Sequence, residues 1–132
     1  MNPLDEIRQR LAKYPDAIVE DTGSVITVKA ANDSGFDVSC RGNNPEITIG
    51  LAGWHETFSD AETALSWFAF GLSQKCRLKV LSKGRMDYRW IVEELRDGKW
   101  HGLSETGLLI YPFLFPKKER ILQNHLLPFP IP

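Results

Sequence analysis

The chain has 132 residues with a formal net charge of -1, 42% hydrophobic and 25% charged residues. That length and balance match an ordinary folded domain able to bury a core without disulfide or metal staples, and give no global drive toward nucleic acid or anionic membrane. Cys40 and Cys76 are far apart and have no neighbouring thiols, so buried free cysteines are expected. The N-terminus carries Asp5 and Glu6 where a signal peptide needs base, and no run approaches the roughly 18 apolar residues of a bilayer span. A cytoplasmic protein is expected.

Asn2 as N-cap, Pro3 in the first turn and the acids Asp5 and Glu6 predict a helix. Leu4, Ile7, Leu11 and Tyr14 form its apolar stripe, and Pro15 stops it. Residues 17–20, 24–30, 36–41 and 46–51 alternate polar and apolar side chains between turn signals. They predict four short antiparallel strands with one wet face. Gly50-Leu-Ala-Gly53 reads as a bend by which the chain leaves the sheet. Ser59-Asp60-Ala61-Glu62 reads as a capping box that opens a central helix. Ala61, Ala64, Leu65, Phe68 and Leu72 would then share its core-facing side.

Residues 76–81 predict a strand. The segment from Tyr88 to His101 predicts a tight hairpin, because Asp97-Gly98 supplies two residues that tolerate positive φ. Pro112 demotes the apolar run from Leu108 to Phe115 to an edge or packing segment. Residues 119–127, with Ile121, Leu122, His125 and Leu126 at helical spacing, could form a short helix, with a strand as the open alternative, and the proline-rich tail 128–132 should be extended. The expected fold is a single α+β domain over residues 1–132. It is built on a twisted antiparallel meander with an N-terminal helix and one central helix packed on a face.

Candidate chemistry is sparse. His55, His101 and His125 lack metal-ligand spacing. Neither cysteine sits where its pKa would fall, no serine lies in a nucleophile elbow, and adjacent Glu93 and Glu94 point to opposite sides of a strand. An enzyme, a cofactor and a metal site are therefore not expected. Arg77, Lys79 and Arg89 could share a basic sheet face, with Tyr88 and Trp90 nearby, as a single-stranded nucleic-acid platform requires. Alternation puts those two rings on the face opposite Arg89, so nucleic acid is not the expected partner. Trp100, His101, Phe113, Phe115 and Phe129 form the candidate interface, since the proline-bracketed C-terminal aromatics are too apolar for free solvent.

The segment Trp54-His-Glu-Thr-Phe-Ser-Asp-Ala-Glu-Thr-Ala-Leu-Ser-Trp-Phe68, followed by Cys76-Arg-Leu-Lys-Val80 and Tyr88-Arg-Trp90, resembles a class of small bacterial proteins, some of them immunity factors encoded beside toxins. The helix-first meander is also similar to secretion chaperones. The resemblance implies a non-enzymatic protein that binds another protein or a second copy of itself. The alternative is a small-molecule or nucleic-acid binder using the basic and aromatic hairpin of residues 75–101.

Overall fold

A computed structural model describes residues 2–43, 46–108 and 115–127, with Asn43 by its backbone alone. Helix α1 (Pro3–Leu11) begins as its sequence dictates, with Asn2 Oδ1 accepting the Asp5 amide at 2.8 Å. Five antiparallel strands follow in sequence order: β1 (Ile18–Asp21), β2 (Val25–Lys29), β3 (Val38–Asn43), β4 (Glu46–Leu51) and β5 (Trp54–Phe58). Helix α2 (Ala61–Leu72) leads to a second sheet made of β6 (Cys76–Lys83), β7 (Met86–Arg96), β8 (Lys99–Gly107) and β9 (Lys117–Leu122), in the order β8-β7-β6-β9. The fold is α+β and antiparallel, as expected, but its strands form two sheets rather than one.

Alternation sorts the first sheet cleanly. Ile26, Val28, Val38, Cys40, Ile47, Ile49 and Leu51 are buried, whereas Thr27, Ser39 and Thr48 lie on the wetter side. Both helices cover the buried side: α2 packs on β3, β4 and β5, and α1 on β3. Cys76, Leu78, Val80 and Val92 from the second sheet complete the same apolar cluster, so one core joins both sheets and both helices. Gly71 permits the closest approach, since a Cβ there would lie 2.4 Å from Leu51 Cδ2. Both cysteines are free and buried, in accord with expectation.

Three readings need correction, and one left open between helix and strand is decided. Gly50-Leu-Ala-Gly53 does not take the chain out of the sheet. Residues 52–53 make a two-residue turn, with Ala52 at φ +52°, and β5 returns alongside β4 with Leu51 opposite Trp54. Gly53 is needed there because a Cβ would fall 2.2 Å from the Trp90 ring. The cap of α2 is Asp60 rather than Ser59, since Asp60 Oδ2 accepts the Thr63 amide at 3.1 Å. Along α2, Phe68 and Leu72 are buried, Leu65 is only partly so and Ala61 is exposed, while Ala69 and Phe70 are buried too. Finally, residues 119–127 are not a helix. Lys117–Leu122 pairs with β6 from Lys83↔Lys117 to Leu78↔Leu122, and these long-range backbone bonds override a weak local helical pattern.

Beyond β9 the chain crosses back to the first sheet through Asn124. Its side chain is 8% exposed, accepts the Phe36 amide at 3.1 Å and donates to the carbonyls of Phe36 and Gly71, each at 3.0 Å. Leu127 then bonds with Leu72 and Gln74. This buried amide ties the last described segment to the β2–β3 connection and to α2.

Candidate binding surfaces

The two faces of the second sheet are set by the register of β6 against β7. Arg77 opposes Glu93, Lys79 opposes Ile91 and Leu81 opposes Arg89, so the three cations predicted to share a face do share one. It is the face turned away from the core, whereas Trp90 lies on the core side against Gly53. The predicted separation of Trp90 from Arg89 therefore holds.

This face is not free positive charge. Arg77 Nε reaches Glu93 Oε1 at 2.6 Å, and Lys79 Nζ lies 3.7 Å from Glu93 and 3.8 Å from Glu119. Arg89 meets Glu105 at 3.1 Å. Each basic residue thus has a carboxylate from a neighbouring strand, an arrangement invisible until the strand order is known. Arg77 also stacks over the Trp100 ring, 4.5 Å from its centroid. Trp100 is thus an aromatic partner of the basic face, whereas Trp90 lies on the opposite side.

The candidate interface residues do not form one patch. Trp100 and His101 begin β8 opposite Leu95 and Glu94, at the end of the hairpin where Asp97 and Gly98 turn with φ +52° and +75°. Phe115 is 55% exposed and packs beside Gly84, where a Cβ would lie 3.2 Å from its ring, at the other end of β7. The two ends are roughly 30 Å apart, from a strand rise of about 3.3 Å per residue. Phe113 and Phe129 lie outside the described residues.

The strand order exposes a surface that residue patterns did not single out. β8 is the outer strand of its sheet, exposed along most of its length, and Leu103 is 41% exposed. Its pairing with β7 shifts between Val92↔Ser104 and Glu93↔Gly102, which leaves Leu103 as a bulge residue. The core side of β8 is anchored by the Trp54 indole N–H, which donates to Ser104 Oγ at 3.1 Å. β9, at the opposite edge, presents Lys117, Lys118, Glu119 and Arg120 in succession, all exposed. Charges in a row are a standard guard against added strands.

Both thiols are held in the neutral form. Burial pushes Cys40 up to about 11, and burial with the nearby Glu94 charge raises Cys76 further. No group of three or more metal-binding side chains stands together among the described residues. No helix among them is long and apolar enough to cross a membrane. Comparison with protein families, curated proteins and solved structures finds no match in any of the three.

Proposed function

We propose that this chain is a non-enzymatic cytoplasmic protein that binds another polypeptide, which docks as an extended strand along the edge of β8 that has no strand beside it among the described residues. The carrying observation is the contrast between the two edges of the second sheet: β9 carries four consecutive charged residues, whereas β8 has nine residues, six of them exposed, with no run of charges and no proline. A sheet edge of that length is the recognition element of strand-addition complexes, with the backbone supplying affinity and side-chain pockets supplying specificity. Trp100 and the apolar part of Leu103 would set the preference for an apolar side chain in the partner.

Pairing of β8 with a second copy is disfavoured by its own bulge. A full-length two-fold antiparallel pairing would superpose both Leu103 bulges, where the ladder is already interrupted. The ion pairs of Arg77, Lys79 and Arg89 weigh against a nucleic-acid partner, because their charge is already used within the sheet. The raised thiols weigh against a cysteine nucleophile. An immunity-like or chaperone-like role fits this binding mode and belongs to the same proposal.

A photocrosslinking residue at Leu103 in the producing cell tests it, with Ile18 on the first sheet as the control position. The polypeptide trapped at 103 is then purified and titrated against the wild type and Leu103→Lys. Binding at least about tenfold weaker in the variant is expected, as for loss of one central apolar contact plus an added edge charge. Equal trapping at both positions, or binding indifferent to the substitution, would refute strand addition at β8.

A further inference from the structure

The turn between β6 and β7 and the start of β9 meet at one end of the second sheet. Gly84, at φ +61°, and Arg85 form a two-residue turn that sets Lys83 opposite Met86, and β9 begins with Lys117 opposite Lys83 on its other side. Phe115 precedes β9 and lies against the turn, its ring 3.2 Å from where a Cβ on Gly84 would stand. Lys83, Arg85, Lys117 and Lys118 thus gather around one tip. The large apolar side chains beside them are left uncovered, Phe115 at 55% and Met86 at 39% exposure.

The positive charge at this tip is uncommitted. None of the four cations has a carboxylate in ion-pair reach among the described residues. Every acidic side chain is among those residues, because positions 1, 44–45, 109–114 and 128–132 hold none. The two acids nearest in sequence serve other cations: Asp87 accepts from both terminal nitrogens of Arg120 at 2.7 Å, and Glu119 lies 3.8 Å from Lys79. Lys83 and Lys117 are moreover direct cross-strand partners, on strands about 4.8 Å apart, and like charges so placed cost stability. Guarding the β9 edge accounts for Lys117 and Lys118. It does not account for Lys83 on an inner strand, for Arg85 in the turn or for the uncovered ring beside them.

A formal charge of -1 over the whole chain conceals this patch, and its form selects among anionic partners. The tip is a turn with its side chains outward, not the groove or strand edge that grips a peptide. Single-stranded nucleic acid needs open ring faces, but one side of the Phe115 ring is taken by Gly84 and Met86 offers no ring. Cations around exposed Phe and Met suit the boundary of an anionic bilayer, where phosphates meet the cations and the apolar side chains reach the start of the acyl region. We infer that this tip is a docking surface for an anionic phospholipid membrane, with Lys83, Arg85, Lys117 and Lys118 on the headgroups and Phe115 and Met86 entering beneath them. This surface is distinct from the β8 edge, and neither reading depends on the other.

The test sediments the full chain with vesicles of phosphatidylcholine, alone or with about a third phosphatidylserine. Partitioning at least about tenfold stronger onto the anionic vesicles is expected, falling at least about fivefold as salt rises from about 0.1 M to about 0.5 M. Lys117→Glu should lower it at least about tenfold while stability in urea is unchanged or raised, because the new carboxylate faces Lys83. Arg85→Glu, in the exposed turn, should weaken it by the same measure. Met86→Cys presents an exposed thiol, both native cysteines being buried. An environment-sensitive dye there should brighten and shift to the blue on anionic vesicles, and the same dye at Ile18→Cys, on the first sheet, should not. Polyglutamate and a single-stranded oligonucleotide, added at equal charge, should leave most of the protein on the vesicles. Equal binding to both vesicles, indifference to both charge reversals, a dye at 86 that responds no more than one at 18, or release by either polyanion would each overturn the assignment.

Discussion

Replacing Asn124 with alanine should destabilise the fold by about 2–4 kcal/mol. The side chain makes three hydrogen bonds, to partners 88 and 53 residues away in sequence. Each contributes about 1 kcal/mol net, and a buried group left without its partner costs more. A surface cleft borders Asn124, so water can re-satisfy part of what is lost, which holds the total near the lower half of the sum. Asn124→Asp sharpens the test. A carboxylate can still accept the Phe36 amide but faces the carbonyls of Phe36 and Gly71 with no proton to donate. Its folded pKa would be raised, so its penalty is full above that value and is relieved as pH falls below the unfolded value of about 3.9. At neutral pH the aspartate should therefore cost at least as much as alanine, and in acid less. Gly35 supplies the coupling test, because a Cβ there would lie 2.6 Å from Asn124 Oδ1. Gly35→Ala should cost about 1–3 kcal/mol alone and close to nothing once Asn124 is alanine. Urea titration at constant m-value measures all four variants against the wild type. An Asn124→Ala cost below about 1 kcal/mol, or additive single costs, would refute the role assigned to this amide.

Phe68→Ala should cost about 3–5 kcal/mol in the same titration, as a buried ring removed from between helix and sheet does. Gly53→Ala must displace the Trp90 ring; a loss of about 1–3 kcal/mol and a shifted tryptophan emission spectrum are expected. The Arg120 guanidinium, bonded through both nitrogens at 2.7 Å, holds the Asp87 carboxyl below its usual range despite some desolvation. A depressed carboxyl stabilises the fold above its unfolded pKa of about 3.9, and that contribution is lost as pH falls through the folded value. Wild type should thus exceed Asp87→Asn by up to about 1 kcal/mol near pH 6, since the pair is partly exposed, and the two should converge in acid. A gap that persists in acid would show that another contact is responsible.

Local chemistry alone determined much of this chain. The Asn2 cap with Pro3, the start of α2, the Asp97-Gly98 turn and the alternation of β2, β3 and β4 depend on neighbours a few residues away, and all are legible without a structure. So was the shared side of Arg77 and Lys79, because a strand's period of two is independent of what it pairs with, whereas Arg89 joins them only through the register of β6 against β7. Tertiary structure decided the rest. β5 and β9 exist because β4 and β6 each had an open edge, and backbone bonds across those edges outweighed the weak local preference of Glu119 to Leu122. Whether Arg77 and Lys79 are free cations depended on Glu93 and Glu119 arriving from other strands. The guarded edge at β9, the open edge at β8 and the cleft walled by Asn124 are properties of strand order and long-range contact. They lie beyond any local pattern because the residues concerned meet only once the chain has folded.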